Sequence, residues 1–169
     1  SNVVFMGMGE PLDNLDAVLG AVRSLTDVFP GLSPRRVTVS TSGVVPRLAR
    51  FLRESRASLA LSLNASDDET RTPIMPHNKT WPLAAIMAAL REGAAERPRR
   101  FFVEYVQLPG VNDTAADAQR IAVLLRGLDC HVNVIPHNPF AGSPFRAPAR
   151  EETLRFHDQI KEQGLTGII

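Results

Sequence analysis

Apolar and polar residues alternate along the chain in two ways, which predict strands and helices in turn. Short apolar or β-branched runs predict six strands, and segments with apolar residues three or four positions apart predict helices between them. The predicted strands cover residues 3–6, 36–43, 58–64, 100–108, 131–135 and 165–169. Because strands and helices alternate, the pattern predicts a parallel sheet with right-handed crossovers. Six strands fit an open or partial β/α barrel better than a closed eightfold one.

Some helices carry residues that mark their ends. Asp13 or Asn14 is expected to cap the first helix, because a short polar side chain there accepts from free backbone N–H groups. The Pro30-Gly31 pair is expected to end that helix. Ser66 and Glu69 have the spacing of a capping box, which predicts that a short helix begins there.

The first predicted strand ends in the turn sequence Gly7-Met8-Gly9-Glu10-Pro11. Two glycines allow the backbone to turn and to approach a ligand closely. Glu10 then emerges at the carboxyl end of the strand, where α/β sheets and barrels bind their ligands. The alternative is an ordinary strand-to-helix turn with a solvated glutamate. This stretch alone does not separate the two interpretations.

Four further strands also end in polar, turn-rich sequence. These exits are residues 40–43, 62–64, 104–112 and 133–138. The carboxyl ends of parallel strands meet at one edge of a sheet, so five polar exits favour a ligand site over five unrelated turns. One carboxylate with hydroxyls and carboxamides suits an ammonium group and ribose hydroxyls. A nucleoside-like or amino-acid-like ligand is therefore predicted, while the sequence has no P-loop or GxGxxG motif for phosphate.

Size and charge narrow the class of protein. A chain of 169 residues fits one domain with a real core, and its net charge of +1 gives no bulk argument for nucleic acid or membrane. Two local basic runs, Arg35-Arg36 and residues 97–100, are interpretable as solvated ends of elements or as RNA contacts. The sequence shows no signal-like leader and no apolar run near 18 residues, which predicts a cytoplasmic protein without a membrane partner.

The remaining candidate residues favour structural roles. Cys130 is the only cysteine, so the chain by itself forms neither a disulfide nor a thiolate metal site, and a buried side chain is expected. The four histidines lack metal-ligand spacing and the serines lack a GxSxG elbow, so no metal ligand or catalytic residue is predicted. Glu104 lies in an apolar strand, where it either points into the barrel with a functional role or pairs with an arginine.

Five segments carry a family resemblance. In chain order they are NVVFMGMGEPLDN, RRVTVSTSGVVPRL, LALSLNASDDETRTPIMPHNK, VEYVQLPGVND and NVIPHNPF, and they cover nearly all of the chain. Together they resemble the RlmN/Cfr-type radical S-adenosylmethionine methyltransferases. The resemblance implies an α/β fold, a partial radical SAM (βα)6-type barrel with parallel strands, in which residues 1–169 form a single domain. It also implies that the family's N-terminal domain, first strand and C-terminal tail are missing.

The resemblance also implies a cofactor and a reaction. Gly9 and Glu10 would meet the methionine part of S-adenosylmethionine. The pocket would be completed by Ser40, Ser62, Leu63, Asn64 and Asn138. The family methylates carbon 2 of an adenine in 23S rRNA, and in some members in tRNA, using a [4Fe–4S] cluster that needs an external electron donor. The implied partners are therefore 23S rRNA, tRNA and that donor, and a monomer is expected.

Three departures from the family pattern matter. The cluster-binding CxxxCxxC motif is absent, and so is the cysteine that carries the methyl group; Cys130 matches neither. The chain is therefore expected to position the cofactor and to be inactive by itself. Asn64 stands where many relatives carry histidine, which keeps a donor and an acceptor but removes titration near neutral pH.

Two other classes of function compete with this interpretation. The first is a non-catalytic nucleoside- or RNA-binding β/α module, which would bind its ligand without chemistry. The second is a β/α-barrel lyase or aldolase, which should present a lysine at a strand end. Lys79 and Lys161 are the only lysines, and neither ends a predicted strand.

Overall fold

The described part of the chain forms six strands and six α-helices, with one α-helix between successive strands except for two between the third and the fourth. The structure is a computed structural model and describes residues 2–28 and 32–169. The strands are β1 (Val3–Phe5), β2 (Val37–Thr41), β3 (Ser58–Ser62), β4 (Phe101–Gln107), β5 (Cys130–Pro136) and β6 (Thr166–Ile168). The helices are α1 (Leu15–Arg23), α2 (Val45–Glu54), α3 (Asp68–Ile74), α4 (Leu83–Glu96), α5 (Ala115–Leu125) and α6 (Arg150–Glu162).

All six strands lie in one parallel sheet in the order β1-β2-β3-β4-β5-β6. Sequential order with right-handed crossovers places every helix on the same face, which is the winding of a β/α barrel. Among the strands that the structure describes, β1 and β6 form the two edges, so the sheet is not closed. The predicted α/β class with an open, parallel barrel is confirmed. No helix in the described ranges is long and apolar enough to span a bilayer.

Alternation along the strands separates the two faces of the sheet. One face packs against the helices in a single core. Its buried strand residues are Val37, Val39, Leu59, Leu61, Phe101, Val103, Tyr105, Val132 and Val134. Burying each such side chain stabilises the fold by about 1.5–3 kcal/mol. The opposite face is half-buried and more polar, with Thr38, Ser58, Ser62, Phe102, Glu104, His131 and Asn133.

The first helix begins differently from the prediction. A 3-10 turn, Pro11–Asn14, precedes α1, and the Glu10 side chain caps that turn by accepting from the backbone N–H of Leu12. Asn14 stands at the N-cap of α1 but makes no side-chain cap hydrogen bond. The predicted capping by Asp13 or Asn14 is therefore wrong, because the upstream glutamate reaches the free N–H first. Pro30 and Gly31, predicted to end the helix, lie outside the described residues.

The predicted capping box at Ser66 is also wrong. Asp67 caps α3 by accepting from the Thr70 backbone N–H at 2.8 Å. Ser66 instead donates to the buried Asp117 on α5 at 2.6 Å, and Arg120 bonds both side chains. This cluster ties the start of α3 to α5, which sequence spacing does not show.

Candidate functional site

Glu10 is held at the carboxyl edge of the sheet by donors from two elements. Its Oε1 accepts from the Leu12 N–H at 3.0 Å, and its Oε2 accepts from the Ser42 N–H at 2.7 Å and the Ser42 hydroxyl at 2.8 Å. A carboxylate offers about four acceptor positions, so roughly one is left over. The half-buried carboxylate is thus oriented in advance, with capacity for one more donor.

His77 extends this network outward. Its Nδ1 lies 3.0 Å from the Ser42 Oγ. Because the single Ser42 hydroxyl proton is donated to Glu10, His77 must carry its proton on Nδ1 and donate it to Ser42. The chain of hydrogen-bond donation therefore runs from His77 through Ser42 to the Glu10 carboxylate.

Two serines lie side by side on the polar face of the sheet. The hydroxyls of Ser40, on β2, and Ser62, on β3, are 3.5 Å apart, at the limit of a hydrogen bond. Ser40 is buried and Ser62 is half-buried. Such a loose pair keeps donor and acceptor capacity for a third group.

Glu104 and Asn133 continue the same row of the sheet. Ser62 is in register with Glu104, and Glu104 with Asn133. Asn133 donates to the Glu104 Oε2 at 2.8 Å. Burial raises the pKa of the Glu104 carboxyl, and the Asn133 hydrogen bond opposes that rise. Of the two roles left open for Glu104, the structure places it on the polar face with an amide partner and not with an arginine.

The exit of β3 turns sharply at Asn64. This residue has φ of 57°, in the left-handed region that asparagine tolerates better than most residues. Its Oδ1 accepts from the Val106 N–H at 2.9 Å, and its carbonyl accepts from the Asn112 side chain at 2.8 Å. Asn112 also bonds the Val106 carbonyl and the Leu108 N–H, so it joins the exits of β3 and β4.

Leu63 offers little to a ligand. Its side chain is fully buried in the core. Its N–H donates to the Glu104 carbonyl at 2.9 Å, and its own carbonyl accepts from Ala65 and from Arg71. A contact of Leu63 with a cofactor would therefore be made through its backbone surface.

Arg71 is a buried cation beneath the exits of β2 and β3. Only 1% of it is exposed, and burial lowers its pKa to about 10, so it stays charged at neutral pH. Its guanidinium donates to the carbonyls of Ser42, Ser62 and Leu63 at 2.8–2.9 Å and to the Asn78 Oδ1 at 2.7 Å. Arg71 thus fixes the spacing of the two exits that carry the candidate ligand groups.

Two clefts open at this edge. One, of about 270 Å³, is lined by residues 5–11 with Asn14 and Val18. A Cβ on Gly9 would meet nothing within 4 Å, and neither Gly7 nor Gly9 has a positive φ. A Cβ on Gly7 would lie 3.3 Å from the Gly9 carbonyl oxygen, so the turn favours glycine at position 7, as predicted. At position 9 the turn does not require glycine, and close approach of a ligand is the reason that is left for it.

The second cleft, of about 290 Å³, lies beside Asn64. Its mostly apolar walls include Met75, Val106, His137 and Phe145. Asn138, predicted to bind the cofactor, follows His137 and is exposed in the loop after β5. The structure brings Glu10 close to Ser42 and Ser40 close to Ser62, whereas Gly9 and Asn64 line different clefts.

Comparison with known proteins identifies the family. A sequence profile of the Radical SAM superfamily matches residues 1–125. The chain belongs to this superfamily. It is 44% identical over 98% of its length to the dual-specificity RNA methyltransferase RlmN of Syntrophobacter fumaroxidans, covering 49% of that protein. It is 47% identical over its whole length to RlmN of Rhodospirillum rubrum, covering 40% of that protein. The predicted RlmN/Cfr-type kinship is confirmed.

Solved structures agree with this radical SAM assignment. A radical SAM methyltransferase from Sphaerobacter thermophilus superposes with a TM-score of 0.92 at 42% identity, over 98% of this chain and 49% of that one. A domain of pyruvate-formate lyase-activating enzyme from Bacteroides vulgatus has a TM-score of 0.75 at 18% identity, which shows the shared fold alone. The chain spans about half the length of the curated relatives it matches.

Cys130 is the sole cysteine of this radical SAM chain, and it is buried at the start of β5 as predicted. Burial raises the pKa of its thiol to about 11, which keeps it protonated and unreactive at neutral pH. Within residues 2–28 and 32–169, no three His, Cys, Asp or Glu side chains are grouped to hold a metal ion.

Two residues that organise the candidate site, Ser42 and Arg71, escaped the sequence analysis. Ser42 was visible as part of a polar exit, but nothing in the sequence singled it out from Ser40. Arg71 follows acidic residues in a short polar helix, which is typical of a solvated face. Only the tertiary placement of α3 over the strand exits makes this arginine central.

Proposed function

We propose that the protein containing this chain methylates carbon 2 of an adenine in 23S rRNA, and in tRNA, with S-adenosylmethionine as methyl donor. The observation that carries the proposal is the preoriented Glu10 carboxylate at the carboxyl edge of a radical SAM sheet. The names of the RlmN relatives support an RNA substrate and methyl transfer.

The residues present fit the amino-acid end of S-adenosylmethionine. Glu10 has roughly one free acceptor position, which suits the donor N–H of an ammonium group. The glycine beside it leaves open space where the methionine part would lie. A charge-assisted hydrogen bond of this kind contributes about 1.5–3 kcal/mol to binding.

The nucleoside end fits the other strand exits. Ser40 and Ser62 supply hydroxyls that are only loosely paired with each other, as ribose recognition requires. The apolar cleft beside Asn64 has walls suited to a purine ring, and the exposed Asn138, which follows the cleft residue His137 in sequence, would supply an amide donor and acceptor. In this proposal the cofactor spans from Glu10 to Asn64 across the ends of β1, β2 and β3.

The same residues do not fit a [4Fe–4S] cluster. Such a cluster needs several cysteine thiolates, and the chain has one buried, protonated thiol. We place the cluster ligands and the methyl-carrying cysteine in the parts of the relatives that this chain does not span. The family's N-terminal domain and first strand would lie there too.

The role of this chain in the reaction is therefore positioning. His77 and Ser42 hold the Glu10 carboxylate, and Arg71 holds the two strand exits at a fixed distance. Cleavage of the cofactor, which the superfamily performs at its cluster, would depend on this fixed placement. The chain alone is predicted to transfer no methyl group.

The test uses the full-length protein with a reconstituted cluster, S-adenosylmethionine, a reducing system and a 23S rRNA transcript. Nucleoside mass spectrometry after digestion should detect 2-methyladenosine with the wild type and not with Glu10→Gln. A tRNA transcript in place of rRNA tests dual specificity. Cofactor binding without any methylated adenosine under these conditions would favour the non-catalytic module instead.

Three further features belong to the same proposal. The protein would act as a monomer, would take electrons from an external donor, and would work in the cytoplasm where its RNA substrates are made. Sedimentation of the full-length protein with and without RNA tests the first of these.

A further inference from the structure

A third cleft lies at the opposite end of the sheet from the proposed cofactor site. It has a volume of about 920 Å³ and is formed where β3, β4 and β5 begin. Its walls include Arg35, Arg56, Arg97, Arg99 and Arg100. This arginine cleft has no part in the cofactor binding proposed above, because ligand chemistry in these barrels lies at the carboxyl ends of the strands.

The arginine cleft concentrates positive charge. Five arginines and one carboxylate, Asp129, line it, whereas the whole chain has a net charge of only +1. Asp129 is bonded to Arg100 at 2.9 Å. A neighbouring smaller cleft shares Arg56 and contains Asp27 and Glu54, but Glu54 is bonded to Arg50. An excess of four positive charges thus faces one opening.

The five arginines differ in the contacts that their side chains make. Arg97 and Arg99 donate to backbone carbonyls at the end of α2, where cations offset the helix dipole. Arg35 and Arg56 are exposed, and their guanidiniums make no hydrogen bond or ion pair with any described residue. These two side chains are therefore not needed to hold the fold, and they are free to bind an anion.

The chemistry of the cleft suits the backbone of RNA. All its cations are arginines, whose planar fork binds phosphate oxygens in pairs. Phe102 adds a half-buried aromatic ring to the same opening, and such rings stack on unpaired bases. The arginines come from three separate segments, before β2, before β3 and before β4, so they are distributed along the amino edge of the sheet.

We propose that the arginine cleft binds the phosphodiester backbone of the RNA substrate, far from the adenine that is methylated. The proposal rests on the proposed function, since it takes the substrate to be RNA. The seven residues of β4 separate the two ends of the sheet by about 20 Å. A large folded RNA spans that distance, so the cleft adds affinity for the whole transcript without touching the cofactor.

The test measures binding of full-length protein to a 23S rRNA transcript over a series of salt concentrations. The slope of log affinity against log salt is negative. Removing two phosphate contacts with Arg35→Ala/Arg56→Ala should reduce its magnitude by about 1.4–1.8. Between 50 and 200 mM salt the wild type should then lose roughly 7- to 12-fold more affinity than the variant. Arg35→Lys/Arg56→Lys keeps both charges and should keep the slope.

The matched control removes two other exposed arginines, Arg150 and Arg155, both on α6. Arg150→Ala/Arg155→Ala changes the net charge equally and should leave the slope near that of the wild type. Binding of S-adenosylmethionine should be unchanged in every variant. If the alanine variant does not fold, Arg35→Gln/Arg56→Gln carries the same test.

Two results overturn the proposal. A cleft variant with the same slope as the control variant shows that the cleft does not bind the transcript. Lost thermal stability with an unchanged slope assigns the cleft to an acidic segment of the protein itself. A third result separates the two proposals. If the cleft variant has a shallower slope than the wild type, but the wild type forms no 2-methyladenosine, the proposed reaction is refuted and the cleft remains an RNA contact.

Discussion

The two ends of the sheet use charge in opposite ways. At the carboxyl end, Glu10 and Arg71 are each held by several short hydrogen bonds from fixed neighbours. At the amino end, Arg35 and Arg56 are exposed, and their side chains have no such partner within residues 2–28 and 32–169. Fixed, desolvated groups position a small ligand, whereas exposed charges attract a polyanion through a field that salt screens. The carboxyl end of the sheet is therefore suited to positioning a small ligand, and the amino end to attracting a polyanion.

The arginines Arg71 and Arg99 show the same contrast between the two ends of the sheet. Burial lowers the pKa of both Arg71 and Arg99. Arg71 places its donors on four acceptors, while the Nε and one terminal nitrogen of Arg99 are buried without a partner among the described residues. Burial thus accompanies a complete network at Arg71, the more deeply buried of the two, and an incomplete one at Arg99.

The largest expected effect is the loss of the Arg71 network. Arg71→Ala leaves the carbonyls of Ser42, Ser62 and Leu63 without this donor, and each lost bond to a charged donor costs about 1–3 kcal/mol. We expect the free energy of unfolding to fall by about 3–5 kcal/mol. Denaturant unfolding of the full-length protein measures it.

Arg99→Ala is the matched control for that variant. It removes an arginine that also binds carbonyls, but only at the end of α2, where such a contact contributes about 0.5–1.5 kcal/mol. Equal losses for the two variants would contradict the view that the two ends of the sheet differ.

Asn64 gives the next largest effect. Asn64→Ala removes the hydrogen bond to the Val106 N–H and places an ordinary Cβ residue at φ of 57°, which together cost about 2–3 kcal/mol. Asn64→Gly loses the same bond without the strain and should cost about 1 kcal/mol less. Thermal unfolding of both variants separates the two causes, and an alanine variant as stable as the glycine variant would remove strain from the explanation.

Substitution of Glu104 is expected to have a smaller, pH-dependent effect on stability. Burial raises its pKa in the folded protein, so ionisation above that pKa destabilises the folded state relative to the unfolded one. Glu104→Gln removes this penalty and should raise the melting temperature at pH 7. The gain should shrink as the pH falls through the raised pKa, because the wild-type carboxyl then becomes neutral as well. A gain that grows toward low pH contradicts this sign.

The strands were predictable because their β-branched and apolar runs are long and end at glycine, proline or polar residues. The polar exits were predictable for the same reason, and so was the position of Glu10. The contacts among them were not. Asn64 appears in the sequence as one more polar residue, and only its left-handed backbone and its bond to β4 show why an amide serves there. Neighbours across 42 positions of sequence leave no local signal.

The arginine runs show the same limit from the other end of the sheet. Their sequence fits both solvated ends of elements and RNA contacts. The structure divides them, since Arg97 and Arg99 bond the carbonyls at the end of α2 while Arg35 and Arg36 remain exposed. Spacing along the chain does not distinguish these roles, because the capped carbonyls come from a helix more than forty residues away.

The most direct measurement is a calorimetric titration of S-adenosylmethionine into full-length wild-type protein and into Glu10→Gln. Glutamine keeps the size of the side chain and removes the charge, so the ammonium loses its charged acceptor. We predict that affinity falls by about 10- to 150-fold, the equivalent of about 1.5–3 kcal/mol. Equal affinities for the two proteins would contradict the assignment of Glu10 and, with it, the carboxyl edge as the cofactor site.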